Sequence, residues 1–288
     1  MRGRFCAVLF LVAALPGAQA ASPRATEFPF EFREGLLWIR VAVPQTNGPL
    51  NFLVDTGAGV SVVNLSTAKR IGLKRGREVV VHGVQTRLTG YWPERLSAKA
   101  GAVELPHEYL SVDLEKLSSS CGRPVDGLLG TDFFRGRAVQ IDFDAQMIRL
   151  VESGKKGRAR EALPLELRPC GMRVPISVNG RKRQWVRLDT GCASALQWVT
   201  SQVRPEEGTR RIAIGLAEMS IPQIETTVGI GEYEFARVPA GLHETAIFPG
   251  EVGLLGNTLL ARFSSVTIDA IAGRLILESK KAHSSLAE

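Results

Sequence analysis

Apolar positions along this chain fall in short runs broken by Gly, Asn and Pro. Residues 36–43 (LLWIRVAV) and 50–54 (LNFLV) are two β-rich runs with Asn47-Gly48 between them. Residues 172–178 (MRVPISV) and 184–188 (QWVRL) are two more, with Asn179-Gly180 between them. Asn-Gly between β-rich runs predicts a hairpin, because both residues tolerate the positive φ of a tight turn. Residues 139–143 (VQIDF) and 147–151 (MIRLV) predict another hairpin, as do 266–270 (VTIDA) and 274–277 (RLIL). Short helical turns are expected at 131–134 (TDFF) and 257–260 (NTLL). Helical periodicity is otherwise scarce, so the chain reads as all-β.

The pattern occurs twice. Residues 31–151 match residues 165–277. Each half opens on a strand–turn–strand that runs into Asp-Thr-Gly, at Asp55 and Asp189. Each closes on a Leu-Leu-Gly segment, VDGLLG at 125–130 and VGLLG at 252–256, followed by the helical turn and the last hairpin. The offset between the halves changes once, between the Asp-Thr-Gly and Leu-Leu-Gly segments, which one altered loop explains. The expected architecture is two similar β-barrel lobes related by a pseudo-two-fold, at 27–152 and 164–279. A basic, glycine-containing linker joins them at 153–163, and 280–288 forms a flexible tail.

The first 20 residues read as a leader. A basic start with Arg2 and Arg4, an apolar run from Phe5 to Leu15 and Ala18-Gln-Ala20 make a signal peptide cut after Ala20. The apolar run is too short to span a bilayer, and no other segment is long and apolar enough. The expected location is therefore periplasmic or secreted, without stable membrane insertion once the leader is removed. Aromatic side chains are only 7% of the chain against 44% apolar overall, so aliphatic side chains must fill most of the core. The formal charge of +7 invites a nucleic-acid reading. Its densest clusters, at 155–160 and 181–183, fall in the linker and at a hairpin tip and do not interleave with aromatics, so they read as solvated loops. Beyond the leader the cysteines are Cys121, Cys170 and Cys192. With the hairpin turn near residue 181, Cys170 and Cys192 face each other and are the preferred disulfide; Cys121 with Cys170 is the rival.

A carboxylate that ends an apolar strand is costly unless it is paired or hydrogen-bonded. Two of them in equivalent places suggest a two-fold arrangement that brings them together. Carboxylates a few ångströms apart share a proton, and such a pair can take a proton from water with one member and give one with the other. That is hydrolysis without metal or covalent intermediate.

On LVDTGA at 53–58, RLDTGC at 187–192, and Leu128-Leu129-Gly130 with Leu254-Leu255-Gly256, the chain resembles the retropepsin- and pepsin-like aspartic proteases. The form is the bacterial two-repeat one, and the resemblance covers nearly all of the mature chain. It implies that Asp55 and Asp189 bind the attacking water. It implies that Thr56 and Thr190 tie the two loops together, and that Gly57 and Gly191 supply backbone N–H contacts. Leu129-Gly130 and Leu255-Gly256 would support the loops from below. A β-hairpin flap is expected between Glu78 and Tyr91, with His82 and Gly83 near its tip; its counterpart lies around 211–216. No tyrosine stands where pepsin-like flaps carry one. Cys192 departs from the usual Ser or Ala, and no His near it in sequence supports a thiol nucleophile.

Other acidic residues read as scaffold. Asp126 and Asp132 lack counterparts in the second half and are expected to cap loops. Asp142 and Asp269 recur, each as a strand-end hydrogen-bonding position. His107, His243 and His283 have no metal-ligand spacing, and no cofactor or metal is expected. The leading expectation is an exported aspartic endopeptidase, monomeric because one chain supplies both aspartates, with a polypeptide as substrate and no nucleic-acid partner. The alternative is a catalytically silent protease-like protein that binds a peptide or cell-envelope component.

Overall fold

The computed structural model describes residues 26–83, 86–154, 161–200, 209–214 and 217–280. The expected leader at 1–20, residues 155–160 of the expected linker and 281–288 of the expected tail lie outside the described residues. The chain is mostly strand, with four short helices among the described residues.

Both predicted halves fold the same way. In the first, strand Leu36–Ala42 pairs antiparallel with Leu50–Val54, Trp38 facing Leu53. In the second, Gly171–Val178 pairs with Gln184–Leu188, Arg173 facing Arg187. The second turn runs through Asn179-Gly180 as predicted, both with positive φ (52° and 68°). The first does not: Val43 O accepts from Thr46 N at 3.3 Å, so the chain turns at Pro44-Gln45, before Asn47-Gly48. Proline pre-sets the φ needed at that corner.

Each Leu-Leu-Gly strand lies between two others. Gly127–Leu129 runs parallel to Leu50–Val54 and antiparallel to Val62–Asn64. Gly253–Leu255 runs parallel to Gln184–Leu188 and antiparallel to Leu196–Val199. A Cβ at Gly127 would meet the Phe52 ring and Val62 O, so the position requires glycine for close approach. In the second half, strands 171–178, 184–188, 253–255, 196–199, Tyr233–His243 and Ala217–Ile230 close a ring of six, because Gly171–Val178 also pairs with Ala217–Ile230. In the first half, Lys99–Ala100 and Val103–Glu104 extend the corresponding edge.

The first half alone has two further helices. Leu65–Arg70 starts at Asn64, whose side chain accepts from Ser66 N, and stops before Gly72 at φ 69°. Glu115–Ser120 covers a small apolar cluster that includes Trp38, Leu53, Leu117 and Val125.

The halves share a sheet. Its six strands run in the order Glu27–Pro29, Met147–Val151, Ala138–Asp142, Phe263–Asp269, Arg274–Ser279, Glu161–Pro164. At its centre Val139 faces Ile268 and Ile141 faces Val266, the pairing a two-fold axis produces. The expected linker therefore ends in a strand, Glu161–Pro164. One large core cluster runs through both halves and this sheet, including Phe28, Phe133, Val139, Val266 and Leu275. Each such fully buried Leu, Val or Phe side chain contributes about 1.5–3 kcal/mol.

Asp142 and Asp269 hold the turns after their strands. Asp142 accepts from Ala145 N at 2.8 Å and Asp269 from Ala272 N at 2.9 Å.

Candidate active site

Asp55 and Asp189 each follow the last residue of a strand, and each is held from below. Asp55 N donates to Leu129 O and Asp189 N to Leu255 O, both at 2.9 Å. The Leu-Leu-Gly segments thus fix where each aspartate leaves its sheet. The threonine after each aspartate is braced as well: Thr131 Oγ1 donates to Thr56 O at 2.9 Å, and Asn257 Nδ2 to Thr190 O at 2.6 Å.

The two Asp-Thr-Gly loops interlock across the lobes. Thr56 Oγ1 donates to Leu188 O at 2.8 Å and accepts from Thr190 N at 3.0 Å. Thr190 Oγ1 donates to Val54 O at 2.8 Å and accepts from Thr56 N at 3.0 Å. Both hydroxyls are fully buried, so each of these bonds is costly to leave unmade. The grip brings each carboxylate against the opposite glycine. A Cβ at Gly57 would stand 2.5 Å from Asp189 Oδ1, and one at Gly191 would overlap the Asp55 carboxyl. Across this contact the Asp55 charge acts on Asp189 and raises its pKa.

The pair is not electrostatically symmetric. Asp55 Oδ1 accepts from Gly57 N at 2.9 Å and Ala58 N at 3.1 Å. Asp189 Oδ1 accepts from Gly191 N at 2.9 Å; Ala58 N and Cys192 N each donate to the main-chain oxygen of their aspartate at 3.2 Å, and only Ala58 N also reaches the carboxylate. Burial raises the pKa of Asp55, and its N–H donors and Arg187 oppose the rise. Asp189 is pushed up to about 8, by burial first and then by the Asp55 charge. Hydrogen bonds to an ionised carboxylate favour that form. The pair shares a proton, and the second N–H donor on Asp55 favours the ionised form of that member.

The expected Cys170–Cys192 disulfide does not form, and neither does Cys121–Cys170; all three thiols are free. Arg173 faces Arg187, so the register centres one residue earlier than expected, at Gly180 rather than 181. Beyond Leu188 the chain leaves the sheet for the Asp-Thr-Gly loop. That carries Cys192 inward, where its Sγ lies 3.1 Å from Ser194 Oγ, while Cys170 stays exposed beside Gly59. Burial and the Asp189 charge push the Cys192 thiol up to about 12, so it is no thiolate nucleophile. The substitution leaves Asp189 in its grip.

His82 is exposed on the strand Arg77–Gly83, which forms a hairpin with Thr86–Arg95 and pairs His82 with Arg87. Thr209–Ile214 and Ala217–Ile230 form the second-lobe counterpart. Both tips, 84–85 and 215–216, lie outside the described residues. His243 is buried and hydrogen-bonds Gln197 through Nε2 at 2.8 Å. Asp132 accepts from Ser61 N and Oγ, and Asp126 from Asn51 N and Thr67 Oγ1, so both brace loops of the first lobe. Among the described residues no cluster of three or more His, Cys, Asp or Glu side chains could hold a metal ion. No helix among them is long and apolar enough to cross a membrane.

Two features were not singled out from sequence. Thr131 and Asn257 differ in type, so only the fold shows that they make the same contact. Arg187 lies in an apolar strand run two positions before Asp189, where the first lobe has Leu53. A charged side chain at such a position is itself a signal, since burial of a charge needs a partner.

Residues 40–133 match the family model described as aspartyl protease. The matched segment contains the Asp55 loop and the first Leu-Leu-Gly strand and ends before the second lobe. No curated protein matches the chain.

Proposed function

From a first lobe that is of the aspartyl protease family, we propose that the chain is an exported aspartic endopeptidase whose two lobes supply one aspartate each. The observation that carries the reading is the interlocked pair: two Asp-Thr-Gly loops joined by reciprocal threonine hydrogen bonds, with each carboxyl against the opposite glycine. Asp55 accepts a proton from a water whose oxygen attacks the scissile carbonyl carbon. Asp189 gives its proton to the carbonyl oxygen, producing a tetrahedral diol. Collapse breaks the C–N bond as Asp55 passes its proton to the leaving nitrogen, and Asp189 recovers one from the diol. The substrate is a polypeptide, and a single chain suffices as a monomer because both aspartates lie in it. Export, to a periplasm or the exterior, rests on the leader sequence at 1–20.

The test is digestion of an unfolded polypeptide by the mature protein across acidic and neutral pH. Asp55→Asn and Asp189→Asn are each expected to lower kcat by at least about 10²–10⁴-fold, the usual weight of a positioned acid or base. Full activity in either variant would overturn the shared-pair mechanism. Tight binding of a statine-containing peptide with no turnover of any peptide would instead make the protein a silent binder.

A further inference from the structure

A layer that is apolar in the first lobe is charged in the second. Leu53, Trp38 and Val125 pack together beneath the helix Glu115–Ser120. Arg187, Arg173 and Glu251 occupy the corresponding places: Leu53 and Arg187 precede their aspartates by two, and Trp38 and Arg173 are their cross-strand partners. Val125 and Glu251 precede the two glycines of the Leu-Leu-Gly strands by two. Arg173 Nε donates to Glu251 Oε2 at 3.0 Å, and Arg187 Nε lies 3.6 Å from Glu251 Oε1. The Arg187 guanidinium also stacks 4.1 Å over the Phe248 ring. Arg187 is only 7% exposed, and its Nη1 reaches across the lobes to donate to Gly57 O at 2.7 Å.

That carbonyl belongs to the peptide whose N–H, on Ala58, donates to Asp55 Oδ1 at 3.1 Å. One end of a single peptide group faces Arg187 and the other faces Asp55. A cation on the oxygen polarises the N–H, and hydrogen bonds in series strengthen one another. The symmetric position in the first lobe is Leu53, which has no donor to give. Asp189 correspondingly lacks a second N–H on its carboxylate.

We propose that Arg187, anchored by Glu251 and Phe248, is a positioning residue that holds the Gly57–Ala58 peptide with its N–H on Asp55, and so favours the ionised form of that carboxylate. Its effect on turnover rests on the aspartic-pair reading; the structural coupling does not.

The test uses Arg187→Leu/Glu251→Val, which installs first-lobe residue types at two places of the layer. Arg173 keeps partners in this variant, since it also lies 3.8 Å from Glu166 and donates to Gly250 O at 2.9 Å. The ionisable groups that face Asp55 are Asp189, Arg187 and the Cys192 thiol. Removing Arg187 removes the favourable charge from both carboxylates and weakens one hydrogen bond to Asp55. Both limbs of the kcat/KM profile are then expected to move up by about one pH unit. At the wild-type optimum kcat should fall about 10–100-fold, with KM within about twofold. Arg187→Lys, which keeps charge and donor, should restore the profile at least in part. Arg187→Met gives the same reading should the double variant not fold.

A drop in active fraction with unmoved limbs would reduce Arg187 to a structural role and overturn the proposal. ¹³C NMR titration of the aspartate carboxyls, assigned with Asp55→Asn, reads Asp55 without turnover. A raised Asp55 pKa in a protein that cleaves nothing would uphold the coupling and sink the protease reading. An unmoved Asp55 would sink the coupling whether or not the protein is active.

Discussion

Asp189 keeps a proton that a free aspartate would release, and folding is linked to that proton. Its pKa is raised from 3.8 to about 8, chiefly by burial and the neighbouring Asp55. Between those values the folded state binds a proton that the unfolded chain has lost. This contribution is fully present below the unfolded value and is lost as pH rises through about 8. Urea unfolding of the wild type should therefore show stability falling from mildly acid to mildly alkaline pH, by at most about 1.4 kcal/mol per pH unit from this group. Asp189→Asn, which cannot ionise, should flatten that slope while abolishing cleavage. An unchanged slope in the variant would mean that Asp189 is ionised throughout. The aspartates, threonines and glycines of the site were legible because the motif is contiguous and occurs twice. Arg187 was hidden inside the same six letters, since a sequence does not say which face of a strand is buried or what lies across from it.

At the scale of the element, two Leu-Leu-Gly strands and the helical turns after them carry the Asp-Thr-Gly loops. Their glycines have no room for a side chain: a Cβ at Gly130 would meet Val60, and one at Gly256 would meet Ser194 O. The helical turn then caps the loop through Thr131 in one lobe and Asn257 in the other. Asn257 Nδ2 donates both to Thr190 O and, at 2.9 Å, to Gly35 O of the other lobe. Asn257→Ala leaves those carbonyls without that donor and is expected to cost about 1–3 kcal/mol of stability. Thr131→Val, which removes a single bond of nearly the same shape, should cost about 1 kcal/mol. Urea midpoints compare the two; equal losses would remove the double role assigned to Asn257. The periodicity located these strands and turns well. It misplaced the first hairpin corner, because Pro44-Gln45 competes for the turn and wins one step before Asn-Gly can act. It also overlooked Leu65–Arg70 and Glu115–Ser120, six-residue helices too short to establish a period.

The whole molecule is held together by the six-stranded sheet and by the threonine grip, and both cross the lobe boundary. Ala138–Asp142 pairs along its full length with Phe263–Asp269. A first lobe expressed alone as residues 26–154 would present that strand as an open edge with Val139 and Ile141 on it. Such an edge templates self-association. Sedimentation should show the isolated lobe as dimers or larger species and the full chain as a monomer. A monomeric, well-folded isolated lobe would mean that the shared sheet is not needed for either half. The repeat in the sequence announced two lobes, and a linker between them could have joined two independent ones. They are not, because the last hairpin of each half has one free side and the two free sides fit each other.

The sequence by itself determined the chemistry that is available: two Asp-Thr-Gly loops, each at the end of an apolar strand and each followed by its Leu-Leu-Gly. Those features depend on neighbours a few residues away, and local backbone preference is written in local residues. Only the tertiary structure decided how the pair is used. Which cysteines are near each other, which aspartate has two N–H donors, and what a buried arginine touches all depend on register and on contacts between residues more than a hundred positions apart. A one-residue change in register moved Cys192 from a bridge to a buried thiol. A contact from Arg187 to Gly57, set by the packing of one lobe on the other, makes a sequence repeat into an unequal pair of carboxylates.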